Sequence, residues 1–292
     1  MKRRHFLSYS LLFLAGCSAI APNPNPTSAT LNIDKLRLTV TDVPEPERLL
    51  QDYETFRQEL EAVLGIPVEF VPVNNQIEAA SALRLNQVDM ALAGPSEYVV
   101  INARTNARPL IGITRPNYYS VIATKTGQNI ESLEDLKGKT IALSDVGSTS
   151  GHLGPTKLLI DAGLDPQTNV KVLMLGDEGS IEAIATGAVA AWGGSAVDYS
   201  TFLNSEEEFP IIAETPPLPS DIFMVNSQLD SRTVAALRDR MVENQERLIA
   251  ALVEGESTQK YKDSELFEAQ DSDYDLIRQV YEAIGEGELI EN

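Results

Sequence analysis

The stretch TIALSDVGSTSGHLGP, residues 140–155, places three consecutive hydroxyl side chains between two glycines, shortly after an apolar run. Residues 140–143 are predicted to form a strand, and the spacing of apolar residues predicts a helix over residues 153–162. The free N–H groups at the start of a helix carry partial positive charge, so an anion is favoured at such a turn.

The three hydroxyl residues are Ser148, Thr149 and Ser150, and Gly147 and Gly151 flank them. Glycine lets the backbone come close to a ligand, and each hydroxyl can rotate its donor towards an oxyanion. The order of residues excludes a Walker phosphate loop, because no Lys precedes a hydroxyl residue as G-K-[ST] requires. Helix capping is the alternative, but a cap needs only one Ser or Thr. The stretch therefore favours anion binding.

Strands and helices alternate along the chain in two series, and each series predicts one βα sheet. The first series has strands at residues 36–40, 68–73, 88–93 and 110–113. The second series has strands at residues 120–124, 140–143, 170–175 and 189–192. Two later strands, at residues 211–214 and 222–225, are predicted to return to the first sheet, and a helix over residues 234–253 to complete that part.

We expect an α/β fold of two domains. Domain 1 is discontinuous and comprises residues 34–115 plus 213–292, and domain 2 comprises residues 116–212. Linkers near residues 115–117 and 215–217 carry the chain between them. Two crossings make a hinge around one central cleft, which can close on a ligand.

The first residues of the chain, basic and then apolar, predict a signal peptide over residues 1–16. It runs into the sequence LAGC, which resembles a bacterial lipobox; the alternative is an ordinary signal peptide cut after Ala19. Cys17 is the only cysteine, so we predict that it is lipidated and that the chain has no disulfide. Residues 17–33 are predicted to be a flexible tether. We expect an exported lipoprotein on the periplasmic side of the bacterial cytoplasmic membrane.

The composition is that of an acidic globular protein, with 43% hydrophobic residues and a formal net charge of -20. A nucleic-acid partner is disfavoured, because phosphate contacts need clustered Lys and Arg. His152 is the only histidine left once the signal peptide is removed, so neither a metal site nor a Ser–His–Asp set can be proposed. We expect no metal, no cofactor and no enzymatic activity.

Five motifs occur in order along the chain: VDMALAGPSEYVV, YYSVI, GSTSG, PPLPSD and DSDYDLIR. Together they resemble the phosphate/phosphite/phosphonate-binding family of ABC-importer lipoproteins, over about residues 36–278. The resemblance implies a two-domain, periplasmic-binding-protein-like fold of type II. It also implies that the three hydroxyls hold the oxyanion group, that Tyr98 and Tyr118 line the cleft, and that Asp221 faces the ligand from domain 1. Core packing for the tyrosines and turn capping for Asp221 are the alternatives.

The chain departs from the family pattern at two places. Asn-Asn-Gln at residues 74–76 stands where members often carry an aromatic residue in a DY pair, and Asp177 stands where some have a His after a Gly. A carboxylate repels an oxyanion unless a proton lies between them, so the departure leaves the identity of the anion open. His152, Asp177 and Asp198 are further candidates for ligand contacts, with a solvated position as the alternative for Asp198.

The first functional hypothesis is a lipid-anchored, monomeric solute-binding component of an ABC importer. It would capture a phosphonate, phosphite or phosphate ion in the cleft and deliver it to the transmembrane permease. The second hypothesis is an enzyme on the same fold, dehydratase-like or precursor-synthesising, although the chain offers no nucleophile and base pair. The third is a receptor that senses the anion for a signalling partner.

Overall fold

The structure is a computed structural model, and it describes residues 31–43 and 45–291. The predicted signal peptide, Cys17 and most of the predicted tether lie outside the described residues. Within the described residues, no helix combines the length and the apolar character that a membrane span requires.

The strands are β1 Leu36–Val40, β2 Val68–Phe70, β3 Met90–Ala93, β4 Arg108–Ile113, β5 Ser120–Thr124, β6 Thr140–Leu143, β7 Lys171–Met174, β8 Ala191–Ser195, β9 Ile211–Glu214, β10 Asp221–Val225 and β11 Leu266–Phe267. The helices are α1 Pro46–Leu64, α2 Gln76–Arg84, α3 Pro95–Thr105, α4 Gly154–Asp161, α5 Gly176–Thr186, α6 Ala196–Asp198, α7 Ser231–Glu243, α8 Gln245–Leu252 and α9 Asp275–Ala283.

Helix α1 shows how the sequence sets the elements. Pro46 stands at its start, where a missing N–H costs nothing, and Gly65 ends it with a φ of 69°, in the left-handed region that glycine tolerates. Apolar residues recur every three or four positions and are buried: Leu49, Tyr53, Phe56 and Leu60. The helix therefore packs one face on the first sheet and leaves the other face in water.

The first sheet has six strands in the order β11-β4-β10-β3-β1-β2. Strands β2, β1 and β3 run parallel, and β10 lies antiparallel between β3 and β4. We call this sheet and its helices the first lobe.

The second sheet has five strands in the order β7-β6-β8-β5-β9 and, with its helices, forms the second lobe. Strand β6 runs parallel to both of its neighbours, β7 and β8. The carboxyl ends of these three strands therefore meet at one edge, the place where α/β sheets bind ligands.

The chain passes between the two sheets twice, at residues 114–119 and 215–220. The predicted two-sheet α/β fold is confirmed, but the prediction that residues 211–214 return to the first sheet is wrong. Strand β9 pairs with β5 of the second sheet, so the predicted domain boundary after residue 212 falls inside it. The helix predicted over residues 234–253 is interrupted at Asn244, between α7 and α8.

Candidate functional site

A cleft of about 700 Å³ lies between the two lobes. The first lobe contributes Asp42, Arg48, Gln76, Gly94, Ser96, Glu97, Asp221, Ser257, Lys260 and Tyr281. The crossing at residues 114–119 and the second lobe contribute Arg115, Tyr118, Asp145, Val146, Gly147, Ser148, Thr149, Ser150, Gly151, Asp177, Ser195, Val197 and Asp198. The volume lies within the range of small-molecule sites.

The hydroxyl turn, residues 147–151, follows β6 and enters the cleft. The backbone N–H of Gly151 donates to Ser148 Oγ at 3.1 Å, so Ser148 is the cap of this turn. Residues Thr149–Leu153 then form a π-helical turn that leads into α4. Gly147 has a φ of 86°, which favours glycine. Among the described residues, the N–H groups of Thr149 and Ser150 have no hydrogen-bond partner, so these two are free to bind an anion.

Thr149 joins the two lobes. Its Oγ1 donates to Ser96 Oγ at 3.0 Å and accepts from the Ser96 backbone N–H at 3.2 Å. Both side chains are buried. The turn of the second lobe is therefore held against the start of α3 in the first lobe.

Ser150 is placed differently from its two neighbours. Its carbonyl accepts from Ser120 Oγ at 2.8 Å, which anchors the backbone of the turn to β5. Among the described residues, its hydroxyl has no hydrogen-bond partner, and it lines the cleft. Of the three predicted hydroxyls, that of Thr149 already donates to Ser96, that of Ser150 is unoccupied, and that of Ser148 accepts from Gly151 but keeps its O–H for a ligand.

Glu97 covers the start of α3 with its own carboxylate. Glu97 Oε2 lies directly against the backbone of Gly94, so close that a Cβ at this position would be only 2.5 Å from it. Ser96 Oγ donates to the same oxygen at 3.0 Å. Burial raises the pKa of Glu97, its own backbone N–H lowers it, and the charge of Asp42 raises it. The anion position at this helix start is therefore already filled by a side chain.

Two further carboxylates lie on the second-lobe wall. Asp177 accepts a hydrogen bond from Ser144 Oγ, and Asp198 Oδ2 accepts from Ser195 Oγ at 2.5 Å. Burial raises the pKa of Asp198; the Ser195 hydrogen bond lowers it, the charge of Asp177 raises it and the charge of Arg115 lowers it. Neither carboxylate forms an ion pair among the described residues, whereas Arg115 and Lys260 pair elsewhere.

Four charged groups bind one another on the first-lobe wall and at the crossing beside it, and we call them the ion network: Arg115, Asp221, Lys260 and Asp42. Arg115 Nη1 lies 3.3 Å from Asp221 Oδ1, and Lys260 Nζ lies 3.7 Å from Asp221 Oδ2 and also bonds Asp42. The Tyr261 hydroxyl donates to Asp221 at 2.7 Å. The two positive and two negative charges compensate each other.

The same contacts perturb the ion network's titration. Burial opposes the charged form of Lys260, but Asp42 and Asp221 hold its pKa above the usual value. Burial likewise opposes the charged form of Asp42, and Lys260 holds its pKa below the usual value. Lys260 and Asp42 therefore stay ionised near neutral pH.

The structure brings most predicted site residues to the cleft, and Tyr118 lines it with its ring against the Arg115 guanidinium, 3.7 Å from the ring centroid. Tyr98 is not among the described residues that line the cleft. It is fully buried, donates to Asp271 at 2.6 Å and packs on Tyr274, so the prediction that it lines the cleft is wrong. Its helical spacing in α3 turns it into the core instead.

His152 is also turned away from the cleft lining. Its Nδ1 accepts from the Gly147 N–H at 3.0 Å, and burial lowers its pKa. It therefore stabilises the turn through Gly147 and does not line the cleft, whereas the sequence had made it a candidate for ligand contact.

Asp221 lines the cleft, but its carboxylate is already engaged by Arg115 and Lys260 of the ion network and by the Tyr261 hydroxyl. Arg115, Lys260 and Glu97 also line the cleft, and the sequence did not predict them. Arg115 lies within the predicted linker, which was the only signal available for it. In the departure at residues 74–76, Asn75 caps α2 through its Oδ1 and Gln76 reaches the cleft. No group of metal-ligating side chains is found in the described residues.

Comparison with known proteins gives a consistent result. The family described as "ABC transporter, phosphonate, periplasmic substrate-binding protein" has a model that matches residues 38–274. The phosphate-import protein PhnD of Mycolicibacterium smegmatis is 30% identical over 160 residues, which are 52% of this chain and 50% of that protein. The chain thus spans about half the length of this curated relative.

Two solved structures resemble the fold over nearly the whole described chain. PhnD1 from Prochlorococcus marinus, in complex with methylphosphonate, has a TM-score of 0.66 and 17% identity, and covers 87% of this chain and 99% of its own. XAC2383 from Xanthomonas citri has a TM-score of 0.70 and 18% identity, and covers 88% and 99%. At these identities the likeness concerns the fold, which is that of the type II periplasmic binding proteins.

Proposed function

This chain belongs to the family of periplasmic substrate-binding proteins of phosphonate ABC transporters, and from that starting point we propose that it captures a small phosphorus oxyanion in its cleft. The ligand is a phosphonate, phosphite or phosphate ion, and the protein delivers it to the permease. Proteins of this family are transport components and not enzymes.

The observation that carries the proposal is the hydroxyl turn in the cleft. It offers a free Ser150 hydroxyl and the unpaired N–H groups of a helical start, while the charges of the ion network compensate each other. Neutral dipoles fixed in a partly enclosed site bind an oxyanion with little reorganisation. The turn therefore fits a tetrahedral anion.

The test is the affinity of Ser150→Ala for methylphosphonate, measured by calorimetry. A hydrogen bond to a charged group contributes about 1.5–3 kcal/mol, so the affinity should fall roughly 10- to 150-fold at near-native stability. Ser227→Ala is the matched control, because Ser227 is an exposed serine outside the cleft. Wild-type affinity in the Ser150 variant, or no binding of any phosphorus oxyanion to the native protein, would contradict the proposal.

Membrane attachment through acylated Cys17 is part of the same proposal. Stable anchoring takes several acyl chains, and Cys17 is the residue that would carry them. We therefore expect Cys17→Ser to leave the protein unprocessed or to release it from the membrane. Fractionation of labelled cells measures this, and an unchanged distribution of mature protein would reject the lipobox.

Closure of the lobes on the ligand is expected from the two crossings, with the protein acting as a monomer. Small-angle scattering should show a more compact particle at saturating methylphosphonate. An unchanged radius at proven saturation, or a dimeric mass, would contradict this part of the proposal.

A further inference from the structure

The hydroxyl turn is bracketed by two carboxylates. It follows β6, the strand between β7 and β8, and all three strands run parallel. Asp177 comes shortly after the end of β7, and Asp198 shortly after the end of β8. Because the carboxyl ends of parallel neighbours meet at one edge, one carboxylate lies on each side of the turn.

Direct contacts hold both carboxylates at this edge. Ser144 donates to Asp177 and also lies against the turn, since a Cβ added to Gly151 would come within 2.4 Å of the Ser144 Cβ. Ser195, which donates to Asp198, pairs in register with Ser120, whose hydroxyl bonds the Ser150 carbonyl. Asp177 is thus one side chain away from the anion-binding turn, through Ser144, and Asp198 is two residues away, through Ser195 and Ser120.

Asp177 and Asp198 form no ion pair in the described part of the chain, and the cation acting on Asp198 is Arg115, whose charge lowers its pKa but which is paired with Asp221. The ion pairs among the residues that line the cleft are those of the ion network, and Arg48 pairs with Asp52. Glu97, which faces the turn from the first lobe, has no ion pair either. Acidic side chains outnumber basic ones along the cleft, so a fully ionised oxyanion on the turn would meet an excess of negative charge, which water screens at the exposed Asp177.

Building on the proposed function, we infer that the cleft selects oxyanions that carry an ionisable O–H proton, with Asp177 and Asp198 as the specificity-determining acceptors. A carboxylate can only accept hydrogen bonds, so a ligand O–H satisfies it where a bare oxygen is repelled. The preferred ligands are singly ionised phosphonate, phosphite or phosphate. Sulfonates and sulfate, which have no such proton near neutral pH, are excluded.

Other titratable groups face these two side chains and enter the pH dependence. Those on the elements packed against them are Asp145, His152, Glu178, Glu182 and Tyr199, and those across the cleft are Asp42, Arg48, Glu97, Arg115, Tyr118, Asp221, Lys260 and Tyr281. Arg115 and Lys260 stay charged in the ion network at every pH of the test. The test must therefore separate the proton of the ligand from protons of the protein.

Calorimetry of the native protein from about pH 6 to about pH 9 makes this separation. Methylphosphonate should bind, and methanesulfonate, which has the same shape, should not. Above the second ionisation of the ligand, the affinity for methylphosphonate should fall about tenfold per pH unit, as its singly ionised fraction does. With phosphite, whose second ionisation lies lower, the break point should move down with the ligand.

The variant Asp177→Asn with Asp198→Asn provides the second arm. An amide is nearly isosteric with a carboxylate and can donate, so the double variant should bind both ionisation states and lose most of the pH slope. Glu178→Gln is the matched control, because Glu178 is the exposed neighbour of Asp177, lies outside the cleft lining and undergoes the same change of charge. The control should keep the native slope.

Each alternative outcome is decisive. A flat pH profile, a break point shared by both ligands, tight binding of methanesulfonate, or a double variant with the native slope would overturn the selection for a ligand proton. Tight, pH-independent binding of aminoethylphosphonate, well above that of methylphosphonate, would also overturn it by giving the carboxylates a cation. Absence of binding by every phosphorus oxyanion at every pH would overturn the proposed function itself.

Discussion

The two walls of the cleft use polar groups in opposite ways. On the first-lobe wall, Arg115, Lys260, Asp42 and Asp221 bind one another, and Tyr261 supplies a further hydrogen bond. On the second-lobe wall, the hydroxyl turn keeps donors that no described residue occupies, and carboxylates flank it without cationic partners.

From this difference we assign separate roles to the two walls: the first wall stabilises the cleft, and the second wall selects the ligand. Charges that compensate each other inside the protein attract an anion only weakly. Removing one of them would leave its buried partner without compensation. Donors without an internal partner gain their hydrogen bonds only when the ligand arrives. We therefore expect changes in the first wall to act on stability, and changes in the second wall to act on affinity.

The largest effect tests the first wall. Asp221 is 1% exposed and binds both cations of the ion network, so Asp221→Ala should lower the free energy of unfolding by about 3–5 kcal/mol. Urea unfolding measures the loss. Asp161→Ala removes a partner of Lys157 at an exposed pair and should change stability by no more than about 1 kcal/mol. Equal effects of the two variants would break the distinction between the walls.

An intermediate effect tests the contact between the walls. Thr149→Val keeps the shape of the side chain but removes both hydrogen bonds with Ser96, and the pair should be worth about 1–2 kcal/mol. We expect affinity for methylphosphonate to fall roughly 5- to 30-fold and the ligand-free protein to expand in small-angle scattering. Thr201→Val, at an exposed threonine, is the control. A loss of affinity with unchanged scattering in both states would assign Thr149 to the ligand alone.

The smallest effect concerns pH and the support of the turn. Burial lowers the pKa of His152, so the unfolded chain takes up a proton near pH 6.5 while the folded protein does so only at lower pH. The stability that neutral His152 contributes is therefore present above about pH 6.5 and is lost as pH falls towards the folded pKa. Between about pH 7.5 and 5.5 the loss should be about 1 kcal/mol or less.

Comparison with His152→Gln isolates this contribution from the carboxylates, because glutamine does not titrate. The native protein should lose more stability on acidification than the variant, as measured by urea unfolding. Nuclear magnetic resonance can follow His152 directly, since it is the only histidine beyond residue 30. A folded pKa at or above 6.5 would contradict the expected direction.

Local signals in the sequence were sufficient for the second wall. The strand, the paired glycines and the run of hydroxyls are contiguous, so the turn and its place at a strand end could be predicted from residues 140–155 alone. The strand at residues 211–214 was also recognised, but its sheet was not, because pairing with β5 depends on residues far away in sequence.

The first wall could not be predicted for the same reason. Arg115 and Asp221 are 106 residues apart, and Lys260 and Asp42 are 218 residues apart, so no local pattern marks either pair. The prediction for Tyr98 was wrong for a different reason. The motif around it was recognised, but only the packing of α3 decides that its hydroxyl reaches Asp271 and not the cleft.

The route of the chain through the first sheet also makes the second lobe exchangeable. Ile113, the last residue of β4, pairs directly with Asp221, the first residue of β10. Residues 114–220 thus form a cassette whose two ends lie side by side, as in domains inserted at a surface turn. A cassette taken from a relative would bring its own turn and flanking carboxylates onto an unchanged sheet, and a tight turn in its place would leave β4 and β10 as a plain hairpin.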